Sequence, residues 1–102
     1  MSIKPIMLAR IYVLDGDMRL EKALNILRDR QKILGATVFR GIEGMGASRE
    51  IHTSSLVDLS LELPLILEFY DEPDRVMQAI AVLQAELHFE HIVSWPAQAH
   101  FS

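Results

Sequence analysis

The order of apolar segments predicts an α+β fold, and three observations carry the prediction. Four short apolar runs, Ile6–Leu14, Ala36–Glu43, Leu65–Tyr70 and Ile92–Trp95, are bounded by glycine, proline or acidic turn residues, as strands are. Two longer segments, Arg19–Leu34 and Asp74–His88, repeat their apolar residues at helical spacing. Strands and helices alternate as β-α-β-β-α-β, the split-βαβ, ferredoxin-like pattern. The expected architecture is an antiparallel sheet of strand order 4-1-3-2 with both helices packed on one face. The right-handed crossover rule fixes the hand of each βαβ unit.

The first strand, Ile6–Leu14, lies between Pro5 and the turn Asp15-Gly16-Asp17. Alternation puts Met7, Ala9, Ile11 and Val13 on one face and Leu8, Arg10, Tyr12 and Leu14 on the other. Asp17 is the expected N-cap of a helix over Arg19–Leu34, whose stripe is Leu20, Ala23, Leu24, Leu27 and Leu34. Gly35 stands where a left-handed C-terminal cap is wanted. The second strand is Ala36–Glu43. From Ile51 to Leu63 a period of two predicts an extended arm or long hairpin. The third strand, Leu65–Tyr70, follows Pro64. Asp71-Glu72-Pro73 starts the second helix, with Val76, Ile80, Leu83 and Leu87 as its stripe. The last strand, Ile92–Trp95, is expected to end at Pro96.

With both helices on one face, the other face of the sheet is left open. It would carry Leu8, Tyr12, Leu14, Ile66 and Tyr70, with Arg10 and Glu68 on neighbouring strands and positioned to pair. So large an apolar face on a small domain predicts association through it. Arg40 joins the pair if its parity points the same way.

The length of 102 residues fits a single domain spanning 1–102, with a loop or arm over about residues 44–62. Hydrophobic residues make up 50% and charged residues 24%, which excludes disorder as the main state. Cysteine is absent, which excludes disulfides, thiolate metal sites and a thiol nucleophile. Ten Lys and Arg against fourteen Asp and Glu give a net charge of -4, against the basic footprint that nucleic-acid binding needs. No signal segment or membrane span is readable, so a soluble cytoplasmic protein is expected. No Ser/His/Asp arrangement stands out, and the expectation is a binding protein, not an enzyme.

The chemistry-bearing stretch is Arg40–Thr53, RGIEGMGASREIHT. Gly41, Gly44 and Gly46 allow close approach of the backbone to a ligand, and successive N–H groups in such a loop can cradle an anion. Arg40 and Arg49 suit bidentate phosphate contacts, and Ser48, His52 and Thr53 add donors. The spacing is neither a P-loop nor a dinucleotide fingerprint. Met45 at the tip is available to a protein partner. Glu86, His88, Glu90 and His91 carry metal-ligand chemistry, but the helix is expected to end between the two histidines, so no metal site is assigned. Trp95 reads as a packing anchor.

At Gly35–Ile42 (GATVFRGI), followed by Gly44, Gly46, Ile51-His52-Thr53 and Leu63-Pro64, the chain resembles the PII-like proteins of the domain of unknown function 190 family. The resemblance covers the chain from the first strand to the second helix. It implies a trimer with its open sheet faces turned toward the centre, and an adenine nucleotide (AMP, ADP or ATP) bound between subunits at the base of the loop joining strands two and three. The family block carries Arg40, Gly41, Gly44, Gly46, His52 and Thr53 as nucleotide-binding residues; Arg49 joins them on its chemistry. No other cofactor is implied. The family resembles regulators that change partner binding with nucleotide state, and some members are encoded beside fluoride channels, which points to a membrane channel or transporter as partner. Two features depart from PII proteins: the tail SWPAQAHFS lacks their Gly-Asp-Gly-Lys segment, and the loop has no tyrosine to uridylylate. A mono- or diphosphate is easier for Arg40 and Arg49 to match than a triphosphate. Two other readings share the topology. One is a divalent-cation-tolerance-type trimer using His52, His88 and His91. The other is a small dimeric ferredoxin-like enzyme with an apolar cavity between sheet and helices.

Overall fold

The computed structural model describes residues 1–46, 49–53 and 63–102, with His52 described by its backbone alone. In chain order the elements are β1 (Ser2–Leu14), α1 (Arg19–Asn25), a π-helical turn (Ile26–Arg30), β2 (Gly35–Arg40), a hairpin of β3 (Glu43–Met45) and β4 (Ile51–Thr53), β5 (Pro64–Asp71), α2 (Pro73–Leu87) and β6 (Ile92–Phe101). Four strands pair antiparallel in the order β2-β5-β1-β6. Set the small hairpin aside, and this is the expected 4-1-3-2 read from the other edge. Of the extended arm, Ile51–Thr53 is β4; residues 54–62, which include Asp58 and Glu62, lie outside the described residues, as do Ala47 and Ser48.

One face of the sheet is the core. Ala9, Ile11 and Val13 of β1 and Leu65, Leu67 and Phe69 of β5 are buried against Ala23, Ile26 and Leu27 from the first helical segment and Val76, Ala79 and Leu83 from α2, with Phe89 closing one end. The parity read from β1 therefore holds, and so does the stripe of the second helix. Pro73 takes a first-turn position of α2, where its missing N–H is no loss, and His88 ends the helix in a left-handed conformation.

The first helix departs from expectation. Its α-helical part stops at Asn25 and widens: Gln31 N–H donates to the Ile26 carbonyl at 2.9 Å and Ile33 N–H to Leu27 at 2.9 Å. The left-handed residue that ends it is Lys32 (φ +49°), not Gly35. Gly35 instead opens β2 beneath the Tyr70 ring, where a Cβ would come within 2.6 Å of Cε1. Leu34 lies outside the stripe and is exposed. Met18, not Asp17, is the N-cap and makes no side-chain cap bond, although the Asp17 carboxylate before it accepts the Arg19 N–H at 2.9 Å.

Both terminal strands are longer than the sequence reading. Pro5 lies inside β1, but beyond Met7, the last residue paired with β5, so its missing N–H breaks no ladder there. Pro96 lies inside β6 opposite Met7. A proline stops a central strand; β6 is an edge, where its nitrogen can face outward.

Two arginines fasten the helical layer, one at each end. Arg19, gripped by Asp17 at 2.7 Å, donates to the carbonyls of Leu87 (3.3 Å) and His88 (3.0 Å) at the end of α2 and lies 4.7 Å over the Phe89 ring. Arg75 in the first turns of α2 donates to the buried Asp71 carboxylate at 3.0 Å and to the carbonyls of Gln31 (2.9 Å) and Lys32 (2.8 Å). Each helix start thus satisfies the orphan carbonyls at the other helix's end.

The second face of the sheet is uncovered. Arg10 donates to Glu68 across neighbouring strands at 2.8 Å, as expected, and its guanidinium lies 5.8 Å from the Phe39 ring centre and 5.5 Å from that of Trp95. Tyr12, Leu14, Phe39 and Val93 are exposed on this face.

Candidate functional site

The candidate site forms where four chain segments meet at one end of the sheet. Asp15 N–H, just past β1, donates to the Leu63 carbonyl at 2.7 Å, and Gly41 N–H, just past β2, donates to the Pro64 carbonyl at 2.7 Å. Leu63-Pro64 is therefore clamped from both sides at the start of β5. Gly16 (φ +93°) allows the tight turn that carries Asp15 there.

Arg40 ends β2 opposite Leu65. Its parity places it on the helix side of the sheet with Leu65, away from the Arg10–Glu68 pair. Its Nη1 donates to Oδ2 of Asp15. Arg40 is 56% exposed and Asp15 36%, so the pair stands at the rim and is reachable by a solute.

The glycine-spaced stretch is a hairpin, with Glu43 opposite Thr53, Gly44 opposite His52 and Met45 opposite Ile51. Two of its glycines have a packing duty. A Cβ at Gly41 would lie 2.7 Å from the Pro64 ring, and one at Gly44 would lie 3.1 Å from it. Gly46 faces open space. The Gly41 N–H, already bonded to Pro64, is not aimed at a ligand. Arg49 has φ +66° and its N–H donates to Gly46 at 3.0 Å, closing the tip. A left-handed arginine is uncommon and marks a constrained position.

The structure thus brings Arg40, Gly41, Gly44 and Thr53 to the root of the hairpin and puts Gly46 and Arg49 at its tip. The two arginines are separated by the hairpin's length. The hairpin is also more apolar outside than its glycines imply: Ile42 is 79%, Met45 64% and Ile51 68% exposed. Sequence reading missed Asp15 and Pro64 as members of the site. They come together only through the register that sets Leu14 against Pro64, which no local pattern marks.

The other candidates lie elsewhere. His88 caps α2, while His91 stacks on Tyr12 with ring centres 6.2 Å apart. Among the described residues no three His, Asp or Glu side chains converge as a metal site would require. Two open grooves of about 350 and 300 Å³ lie at the opposite end of the sheet, around Lys4 and Glu72, not between sheet and helices. Among the described residues no helix is long and apolar enough to cross a membrane.

Comparison with known proteins places the chain by family and by fold. A UPF0166 protein of Aquifex aeolicus (strain VF5) is 36% identical over 70 residues, 69% of this chain and 71% of its own length. A second UPF0166 protein of the same organism is 35% identical over 52 residues, half of its length. Among solved structures, the nitrogen regulatory PII-like protein CPII of Thiomonas intermedia K12, bound to ADP, AMP and bicarbonate, superposes with a TM-score of 0.68 at 17% identity, over 96% of this chain and 91% of CPII. The divalent ion tolerance protein CutA1 of Ehrlichia chaffeensis superposes at 0.62 with 19% identity, over 99% of this chain and 87% of its own. Both likenesses are of fold. The family DUF190, described as "Uncharacterized ACR", matches residues 7–99, which takes in both helices, β2 to β5 and most of β1 and β6. The chain belongs to the DUF190 family and is built on the PII-like, ferredoxin-like fold.

Proposed function

We propose that the chain is a PII-like regulatory protein that binds an adenine nucleotide and reports it to a partner protein through the segment between β2 and β5. The observation that carries this reading is the hairpin itself. It has an exposed arginine at its root, a constrained arginine at its tip, and an apolar outer surface of Ile42, Met45 and Ile51. An anion at the root and a protein at the tip would share one element. Nucleotide in a protein of the same fold, CPII with ADP and AMP, supports the ligand class.

In this reading Arg40 at the root of one copy's hairpin and Arg49 at the tip of its neighbour's meet the phosphates across the cleft, with Gly44, Gly46, His52 and Thr53 supplying donors and Gly41 holding the root in shape. Two cationic side chains match a mono- or diphosphate better than a triphosphate. The open sheet face, neutral within itself through the Arg10–Glu68 pair, is where three copies meet, and the nucleotide lies in the cleft between neighbours. The partner is a membrane channel or transporter met from the cytoplasm. No reaction is catalysed.

Calorimetric titration with AMP, ADP, ATP and cyclic AMP, on protein whose mass is fixed by light scattering, tests this. The expected result is micromolar binding of one nucleotide per chain by a particle of three chains, weakened at least about tenfold in Arg40→Ala. Absence of heat with all four nucleotides would overturn it.

A further inference from the structure

Asp15 is tied by its backbone to one chain segment and by its side chain to another. Its N–H is fixed to Leu63, and its carboxylate holds Arg40. The carboxylate is 36% exposed and the guanidinium 56%, so water reaches both and the pair is weakly held. Resting on the reading of Arg40 as a phosphate ligand, we propose that Asp15 is a resident competitor: it fills the anion position on Arg40 when nucleotide is absent and must yield when a phosphate arrives.

Two consequences follow from charge and connectivity. A carboxylate and a phosphate are both acceptors and both negative, so they cannot share the same guanidinium edge without repulsion. Asp15 therefore weakens binding, and weakens it more for nucleotides of higher charge. The displaced residue is bonded through its own N–H to Leu63, beside Pro64 at the start of β5, so the exchange is felt at that junction. Asp15 is a specificity-determining residue on this account, because it penalises charge instead of supplying affinity.

The test is Asp15→Asn, titrated with AMP and with ADP beside the unaltered chain. Asparagine keeps the shape and the backbone N–H and removes the charge. The expected result is about five- to tenfold tighter ADP binding with a smaller gain for AMP, while the melting temperature without nucleotide changes by less than about 2 °C. Asp15→Glu, which keeps the charge, should retain the original order of affinities. Asp15→Ser repeats the neutral case should the asparagine chain fold poorly. Equal or weaker binding by the neutral variants, while the unaltered chain binds, overturns the competitor role and leaves the nucleotide reading standing. Binding by none of the chains removes both.

Discussion

A methyl group at position 41 would sit 2.7 Å from the Pro64 ring and 3.2 Å from its carbonyl, and neither the ring nor the backbone can step aside cheaply. Gly41→Ala should therefore cost about 1–3 kcal/mol in urea unfolding, whereas Gly46→Ala, with nothing within 4 Å, should cost little. Equal effects would show that Pro64 does not press on residue 41. Arg49 at φ +66° separates stability from binding in the same way. Arg49→Gly relieves roughly 1 kcal/mol of left-handed backbone cost but should lower nucleotide affinity. Asp17 gives a pH signature. The hydrogen bond from Arg19 holds its carboxyl below the usual carboxylate range, which outweighs the opposing effect of burial. A lowered folded value means that the stabilisation is full above the unfolded value of about 4 and is lost as pH falls through the folded value. Asp17→Asn should thus lower stability by about 1 kcal/mol at pH 7, with the gap between the chains closing below pH 4.

The helices are joined end to end by side chains, and one guanidinium makes several of the bonds. Arg75→Ala frees the Gln31 and Lys32 carbonyls and deprives buried Asp71 of its cation. About 2 kcal/mol should be lost, with a melting temperature lower by roughly 10 °C. Arg75→Lys should recover only part, since an ammonium lacks the planar fork that reaches a carboxylate and two carbonyls together. Full recovery would reduce the contact to simple charge pairing. These long-range bonds also explain what was legible in the sequence. The second helix announces itself because its start signal, Pro73, and its stripe are local. Past the first helical segment the Gln31 and Lys32 carbonyls are held by Arg75, more than 40 residues away, and no local pattern marks that. Gly35 was readable as a glycine with a purpose, but its purpose is the Tyr70 ring on another strand. Arg40 was readable as a site residue, while its face followed only from the pairing of β2 with β5.

At the scale of the molecule, strand order was legible because alternating elements and short connections leave few topologies. The lengths of β1 and β6 were not, because tolerance of Pro5 and Pro96 depends on which edges are paired. The uncovered face makes a prediction that belongs to the assembly. Phe39→Asp, on the rim of that face, should turn a three-chain particle into single chains by light scattering while the circular dichroism is retained. A particle of unchanged mass would place the contact elsewhere. Pro96 has one more consequence. From Ile92 to Phe101 the edge strand contains no Lys, Arg, Asp or Glu, so it lacks the charges by which exposed strands ordinarily repel their own kind. Its proline is what interrupts the row of donors. The ring then guards the edge against pairing: Pro96→Thr would complete a ten-residue template, and freshly made chains should deposit as thioflavin-positive aggregate at concentrations where the parent stays clear.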